Sequence, residues 1–92
     1  MATYFMFGSY SNKSIGRISE ARTEAAISLI EKHGGTFKSG YALLGEADLV
    51  LIVDLPSTEQ AIKASVELTE LLGIAFTTSP AVTIEEFDDL VG

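Results

Sequence analysis

The sequence predicts an α+β fold whose four strands and two main helices follow in the order βαββαβ. The five residues from Leu49 to Val53 are all apolar and stand between Asp48 and Asp54, a pattern typical of a strand buried on both faces. Two segments with the apolar period of amphipathic helices separate this run from the other strand-like segments. The chain has 92 residues, so we expect a single domain over residues 1–92.

The first strand is predicted over Thr3–Tyr10, which contains the apolar run Tyr4–Phe7. The first helix is predicted from about Ser19 to His33, because polar and apolar residues recur on opposite faces of that segment. Gly34 and Gly35 end the helix, and we expect one of them to adopt the left-handed conformation that follows many helices.

The second and third strands are predicted over Thr36–Leu43 and Asp48–Asp54, close enough in sequence to form an antiparallel hairpin. A fourth strand is predicted over Ala75–Val82. The segment that begins at Thr83 has the pattern of a capping box and predicts a short acidic helix.

The second helix has the clearest start signal in the chain. Ser57 and Gln60 have the spacing of a capping box, in which each side chain binds the other residue's main-chain amide. The helix is predicted to continue to Leu72, with a buried stripe formed by Ile62, Val66, Leu68 and Leu72.

This order of elements resembles the ferredoxin-like sandwich, an antiparallel sheet in the strand order 4-1-3-2 with both helices on one face. The first and third strands carry the continuous apolar runs and fit the centre. Lys38 and Pro80 lie in the second and fourth strands and are typical of sheet edges. The other sheet face then needs cover from outside the chain. We expect a homodimer in which two sheets pack face to face as a dimeric α/β barrel.

Charge and composition exclude several functions. The net charge of −7 opposes binding to phosphate backbones, so we expect no nucleic-acid partner. The chain has no cysteine and one histidine, which argues against a metal site and a thiol nucleophile. Residues 1–10 lack the pattern of a signal peptide, and no apolar run approaches the length of a membrane span. These features predict a cytoplasmic protein with no membrane partner and no cofactor.

Several of these segments together resemble the GYD-domain family of small bacterial proteins. They are Tyr4–Phe7, Gly34–Gly35, the segment Leu44–Asp48 with the apolar strand behind it, and Pro56. The family motif is a glycine, a tyrosine and an aspartate at the turn into the third strand, which Gly45 and Asp48 match in part. Ala47 stands where the family usually has tyrosine, so no role of that phenol carries over. The resemblance implies a relative of the dimeric α/β-barrel proteins and no established activity.

Two residues are candidate catalytic bases. Asp48 shares strand parity with Val50 and Ile52, so its carboxylate either enters an apolar face, where burial would raise its pKa, or has a structural role, accepting hydrogen bonds from turn amides or pairing with a cation. His33 lies at the end of the first helix, where it either complements the helix dipole or acts in catalysis.

The candidate ligand-binding residues gather near the amino end of the first helix. Lys13, Arg17 and Arg22 are half of the six basic residues, and a helix amino terminus favours a carboxylate or phosphate. Arg22 falls within the apolar stripe, where it either pairs with a carboxylate or directs its guanidinium into a pocket between helix and sheet. Tyr10 and Tyr41 are pocket candidates because a phenol offers an apolar ring with a polar tip.

Three classes of function follow from these residues. The first is a non-catalytic homodimer that binds a small anionic metabolite. The second is a cofactor-independent enzyme, monooxygenase-like or isomerase-like, that acts on a small organic molecule with Asp48 or His33 as base. The third is a protein-interaction module that uses its edge strands or acidic tail. We favour the first, because no nucleophile, base and orienting group can be assembled from the spacing.

Overall fold

The computed structural model describes residues 1–11 and 20–92, and its strands and helices follow in the predicted order. Ser19, the expected start of the first helix, lies outside the described residues. The other predicted bounds agree with the observed ones to within one residue. The elements are β1 (Ala2–Tyr10), α1 (Glu20–Lys32), β2 (Thr36–Ala42), β3 (Leu49–Leu55), α2 (Thr58–Leu72), β4 (Ile74–Ala81) and α3 (Ile84–Val91).

The four strands form one antiparallel sheet in the order β2-β3-β1-β4. This is the predicted ferredoxin-like arrangement, and it confirms that the two apolar strands are central. Met6 lies opposite Leu51, and Phe5 lies opposite Ile52. Since side chains alternate along a strand, these two pairs mark two different faces of the sheet.

The core lies between one sheet face, here called the inner face, and the helices α1 and α2. Tyr4 and Met6 from β1 and Val53 from β3 are buried on the inner face, where they pack with Ile30 of α1 and Leu68 of α2. Both helices contact the sheet and each other. The two helices and one face of the sheet therefore make a two-layer sandwich.

The buried stripe of α2 differs from the prediction. Ile62 is 60% exposed and Val66 is also exposed, so their assignment to the core was wrong. Ala61 and Ala64 are buried in their place, while Leu68 and Leu72 are buried as predicted. Small side chains let the helix axis approach the sheet closely, and this rotates the larger neighbouring residues towards the surface.

Glycines and a serine define the helix ends. Ser57 Oγ accepts a hydrogen bond from the Gln60 amide at 3.2 Å, as a capping residue does. Gly73 ends α2 with a φ of 67°, and Gly34 follows α1 with a φ of 80°, which confirms the predicted left-handed conformation. The reciprocal half of the Ser57 capping box was predicted wrongly, because the Gln60 side chain contacts His33 instead.

The opposite face of the sheet, here called the outer face, is rich in apolar side chains that neither α1 nor α2 covers. It carries Phe5 and Phe7 from β1, Val50 and Ile52 from β3, and Tyr41 from β2.

In the parts of the chain that the structure describes, no helix has both the length and the apolar character needed to cross a bilayer.

The connection from α1 to β2 leaves no room for a side chain at residue 35. A Cβ built on Gly35 would lie 2.4 Å from the Asp54 carbonyl oxygen and 2.6 Å from Leu55 Cδ2. We therefore expect Gly35→Ala to lower the free energy of unfolding by about 1–3 kcal/mol through overpacking. Thr36→Ala, the control at the exposed neighbouring position, should change it by less than about 0.5 kcal/mol. Urea denaturation of both variants measures the difference, and equal stabilities would contradict this account.

Candidate functional site

A cavity of about 70 Å³ lies between α1 and the inner face of the sheet. The first two turns of α1 form one wall, and the ends of α2, β1 and β4 meet at the others. Its lining combines two polar side chains and a phenol with an apolar interior. The lining residues are Tyr10, Arg22, Thr23, Ala26, Phe37, Leu49, Leu51, Leu72 and Ile74.

Arg22 joins the beginning of α1 to the end of α2. Its Nη2 donates a hydrogen bond to the Leu72 carbonyl oxygen in the last turn of α2. The guanidinium carbon also lies 6.0 Å from the centre of the Tyr10 ring, within the range of a cation–π interaction. The carbonyls at a helix carboxyl end carry partial negative charge, so a guanidinium is stabilised there. These contacts fix the guanidinium at the cavity wall.

The electrostatics of the cavity favour an anion. Arg22 is the one charged side chain among the described residues that line it. Arg22 and Thr23 belong to the first turn of α1, where main-chain N–H groups carry partial positive charge. Beyond them the lining is apolar. Such a site suits a small molecule with one anionic group and a short apolar body.

Asp48 has a structural contact that matches one of its two predicted roles. Its Oδ2 accepts a hydrogen bond from the Tyr10 amide at 2.8 Å. Its own amide donates to the Gly8 carbonyl oxygen, and its carbonyl oxygen accepts from the Leu43 amide, both at 2.8 Å. Asp48 therefore ties the β2–β3 connection to the end of β1, and it does not line the cavity.

His33 lies at the other end of α1, about 16 Å along the helix axis from Arg22. Its side chain is only 9% exposed and contacts Glu67 through Nε2, while Nδ1 lies 2.8 Å from Gln60 Oε1. Lys32 Nζ lies 3.3 Å from Glu67 Oε1. This cluster joins the end of α1 to α2, so the structure does not bring His33 to the cavity.

The structure separates the two candidate tyrosines. Tyr10 lines the cavity, whereas Tyr41 lies opposite Val50 on the outer face and is 60% exposed. Lys13 and Arg17, the other two candidate cations, lie outside the described residues. Of the predicted site residues, the structure therefore brings Tyr10 and Arg22 together.

Sequence reasoning missed Thr23 and Phe37, which also line the cavity. Thr23 directly follows Arg22 in the first turn of α1, so the predicted place of Arg22 in the site already indicated that Thr23 lies nearby. Phe37 reaches the inner face because it lies opposite Val53. The register of β2 is irregular between Phe37 and Ser39, so a simple alternation of side chains along the strand does not predict that Phe37 faces inward.

Within the described part of the chain, no group of three His, Cys, Asp or Glu side chains is placed to hold a metal ion.

The contacts of Glu67 make the helix pair sensitive to acid. The hydrogen bond from Lys32 lowers the pKa of Glu67 below its ordinary value of 4.5, His33 lowers it further, and burial opposes both. A carboxyl whose pKa is lowered on folding stabilises the fold above its unfolded pKa and loses that effect as the pH falls through its folded pKa.

We therefore expect Glu67→Gln to destabilise the protein at pH 7 and to have little effect below the lowered pKa of Glu67. Glu70→Gln, at an exposed carboxylate of the same helix, is the control. Thermal unfolding between pH 7 and pH 3 measures the difference. A destabilisation by Glu67→Gln that does not change with pH would contradict the assigned contacts.

The fold is similar to that of several solved regulatory proteins. The leucine response regulatory protein of Mycobacterium tuberculosis is 15% identical with a TM-score of 0.64, and the alignment covers 89% of this chain and 51% of that one. The feast or famine regulatory protein of M. tuberculosis, complexed with L-methionine, is 16% identical with a TM-score of 0.65, covering 90% and 51%. A further transcriptional regulator is 16% identical with a TM-score of 0.69, also covering 90% and 51%.

At such identities the likeness shows the fold alone, and this chain spans about half the length of each of these structures. A comparison with curated proteins gave no significant match. The profile of the GYD domain matches residues 4–91, which is nearly the whole sequence. The chain therefore belongs to the GYD-domain family.

Proposed function

We propose that this protein is a homodimeric module that binds a small carboxylate with a short apolar tail in the cavity beneath α1. The observation that carries the proposal is the placement of the Arg22 guanidinium at the wall of an otherwise apolar cavity. The carboxylate would bind the guanidinium. The tail would contact Ala26, Leu51 and Ile74.

Size and charge narrow the class of ligand. The cavity volume of about 70 Å³ admits only a short apolar tail, with the carboxylate at the wall beside Arg22. The net charge of −7 repels anions at long range, so short-range contacts must outweigh it. A small ligand with a single negative charge meets that requirement better than a polyanion does.

The comparison structures support a small carboxylate. The feast or famine regulatory protein, which shares this fold over about half its length, was solved with L-methionine, an amino acid with a carboxylate and an apolar side chain. Catalysis is the weaker alternative, because no His, Asp or Glu side chain of the described chain lines the cavity. Asp48 is bound to the Tyr10 amide, and His33 lies at the far end of α1.

The outer face supports the homodimer. Phe5, Phe7, Val50 and Ile52 form adjacent cross-strand pairs there, on the side of the sheet opposite α1 and α2. Phe7 is exposed and Phe5 and Ile52 are half-buried, whereas Val50 is buried. An apolar sheet face that stays partly exposed in this way favours association. A second copy offers the same apolar patch, so a two-fold axis would bury both patches at once.

Arg22→Ala tests the ligand site. A small carboxylate at ten times its Kd adds about 1.4 kcal/mol of stability, so we expect propionate or butyrate to raise the wild-type Tm by roughly 5–10 °C. Arg22→Ala should abolish the increase, because the charge-assisted hydrogen bond is lost. Each shift is measured from the same variant's ligand-free Tm, since the substitution also removes the Leu72 contact.

Two further variants make this test specific. Lys63→Ala removes an exposed cation of α2 and should keep the wild-type shift. Ala26→Val narrows the cavity while Arg22 remains, and it should reduce the shift. Inorganic phosphate, which has no apolar tail, should raise the Tm less than butyrate does. An equal shift in wild type and Arg22→Ala, or no shift in wild type, would refute the site.

Phe7→Glu tests the homodimer. Analytical ultracentrifugation at micromolar concentration should show a dimer for the wild type, and Phe7→Glu should be monomeric because it places charge in the centre of the outer face. Ile62→Glu is the matched control, since Ile62 is an exposed apolar residue on α2. A monomeric wild type, or dissociation by Ile62→Glu instead of Phe7→Glu, would refute the outer-face dimer.

A further inference from the structure

The carboxyl-terminal helix α3 carries an apolar side that nothing in the described chain covers. Ile84, Phe87 and Leu90 are 76%, 51% and 75% exposed, and Val91 is also largely exposed. At 100° per residue these four side chains share one side of the helix, while Glu85 and Asp89 lie on the other. No residue of α3 is buried.

A helix of this length does not support itself. Eight residues fall below the roughly 12–15 that an isolated helix needs in water, and the cap from Thr83, whose Oγ1 accepts from the Glu86 amide at 3.0 Å, adds only about 1 kcal/mol. Packing of the apolar side therefore has to supply the rest of the stability.

The position of α3 in the fold shows which surface of the protein lies beside this helix. Only Val82 and Thr83 separate it from β4, so it begins at the end of the sheet where β4 finishes. Its first turn and the outer face border a shared groove of about 530 Å³, lined by Phe5, Ile52, Lys38, Val82 and Glu86 among others. The first turn of α3 and the outer face are therefore neighbouring parts of one surface.

We propose that α3 is a dimerisation arm, whose apolar side packs against the outer face of a second copy. This inference rests on the homodimer proposed above and adds a part to its interface. The short connection holds α3 at the end of its own sheet, with Phe87 half exposed. In a two-fold dimer each α3 instead meets the sheet of the other copy, so every arm contact occurs twice.

Charge and area both fit a second copy. The four carboxylates of α3 take part in no ion pair within residues 1–11 and 20–92. Lys38 borders the groove, and its Nζ lies 3.8 Å from Asp54 Oδ2. Lys38 pairs with Asp54 of its own chain and keeps half of its side chain exposed, so in a dimer it can also face the α3 carboxylates of the other copy. The four apolar side chains of α3 add to the exposed Phe7 and Tyr41 of the outer face, and burying both sets brings a dimer closer to the roughly 800 Å² per partner of a standard interface.

Phe87→Ser tests the arm against a matched control on the same helix. We expect Phe87→Ser to raise the dimer Kd at least about tenfold, because truncating a buried aromatic residue at an interface removes a large part of the binding energy. Asp89→Ser, on the opposite side of α3, should leave the Kd within about twofold of wild type. Sedimentation equilibrium of the full chain measures all three values.

Cross-linking identifies what α3 contacts. Since the chain has no cysteine, Phe87→Cys can be labelled at one position with a benzophenone maleimide. The labelled protein is mixed with ¹⁵N-labelled wild type and irradiated, and mass spectrometry identifies the linked peptides. We expect links from the benzophenone at position 87 to ¹⁵N-labelled wild-type peptides of β1, β3 or β2, and few such links when it is attached to Asp89→Cys.

The outcomes separate the two proposals. A wild type that is monomeric at all concentrations overturns both the homodimer and the arm. A dimer whose Kd is unchanged by Phe87→Ser overturns the arm alone. Links confined to the same chain, or to the surface formed by α2 and β4, also overturn the arm.

Discussion

A four-stranded sheet has two faces, and α1 and α2 cover only one of them. Both helices lie on the inner face because each βαβ unit returns its strand to the same sheet, with the helix on the same side. The central strands are nevertheless apolar on both faces, as Phe5, Val50 and Ile52 show. The apolar outer face is a consequence of this one-sided coverage, and the proposals for the dimer and for α3 both rest on it. A chain of this size buries a smaller fraction of its surface than a larger domain does, so association would add to that burial.

Two polar clusters hold α1 against the rest of the molecule, one at each end. At its beginning Arg22 binds the last turn of α2, and at its end His33 and Lys32 meet Glu67. Between them Ala26 and Ile30 pack in the core. The helix is therefore fixed at both termini, which gives the cavity next to Arg22 a defined wall. A fixed guanidinium loses less entropy on binding an anion than a mobile one does.

The family's glycine and aspartate positions have structural roles in this chain. Gly45 has a φ of 142°, a conformation that residues with a side chain rarely adopt. Asp48 binds the Tyr10 amide across the sheet. Together they shape the connection into β3 and place Tyr10 at the cavity. Ala47 contributes no polar side chain, so the function of this chain does not depend on a phenol at that position.

The sequence alone determined the order of elements, the central position of β1 and β3, and the helix ends at Ser57, Gly34 and Leu72. These features depend on local patterns, such as apolar runs, capping residues and glycines, which act over a few positions. It also indicated that Arg22 is unusual, because a cation interrupted an apolar stripe.

The tertiary structure decided which residues meet across the chain. It placed Ala61 instead of Ile62 in the core, directed Gln60 to His33, and separated Tyr41 from Tyr10. It also brought Phe37 beside Arg22 around one cavity. These outcomes depend on how close a helix lies to the sheet and on the irregular register of β2. Neither is encoded in a local pattern, because both arise only when distant segments pack together.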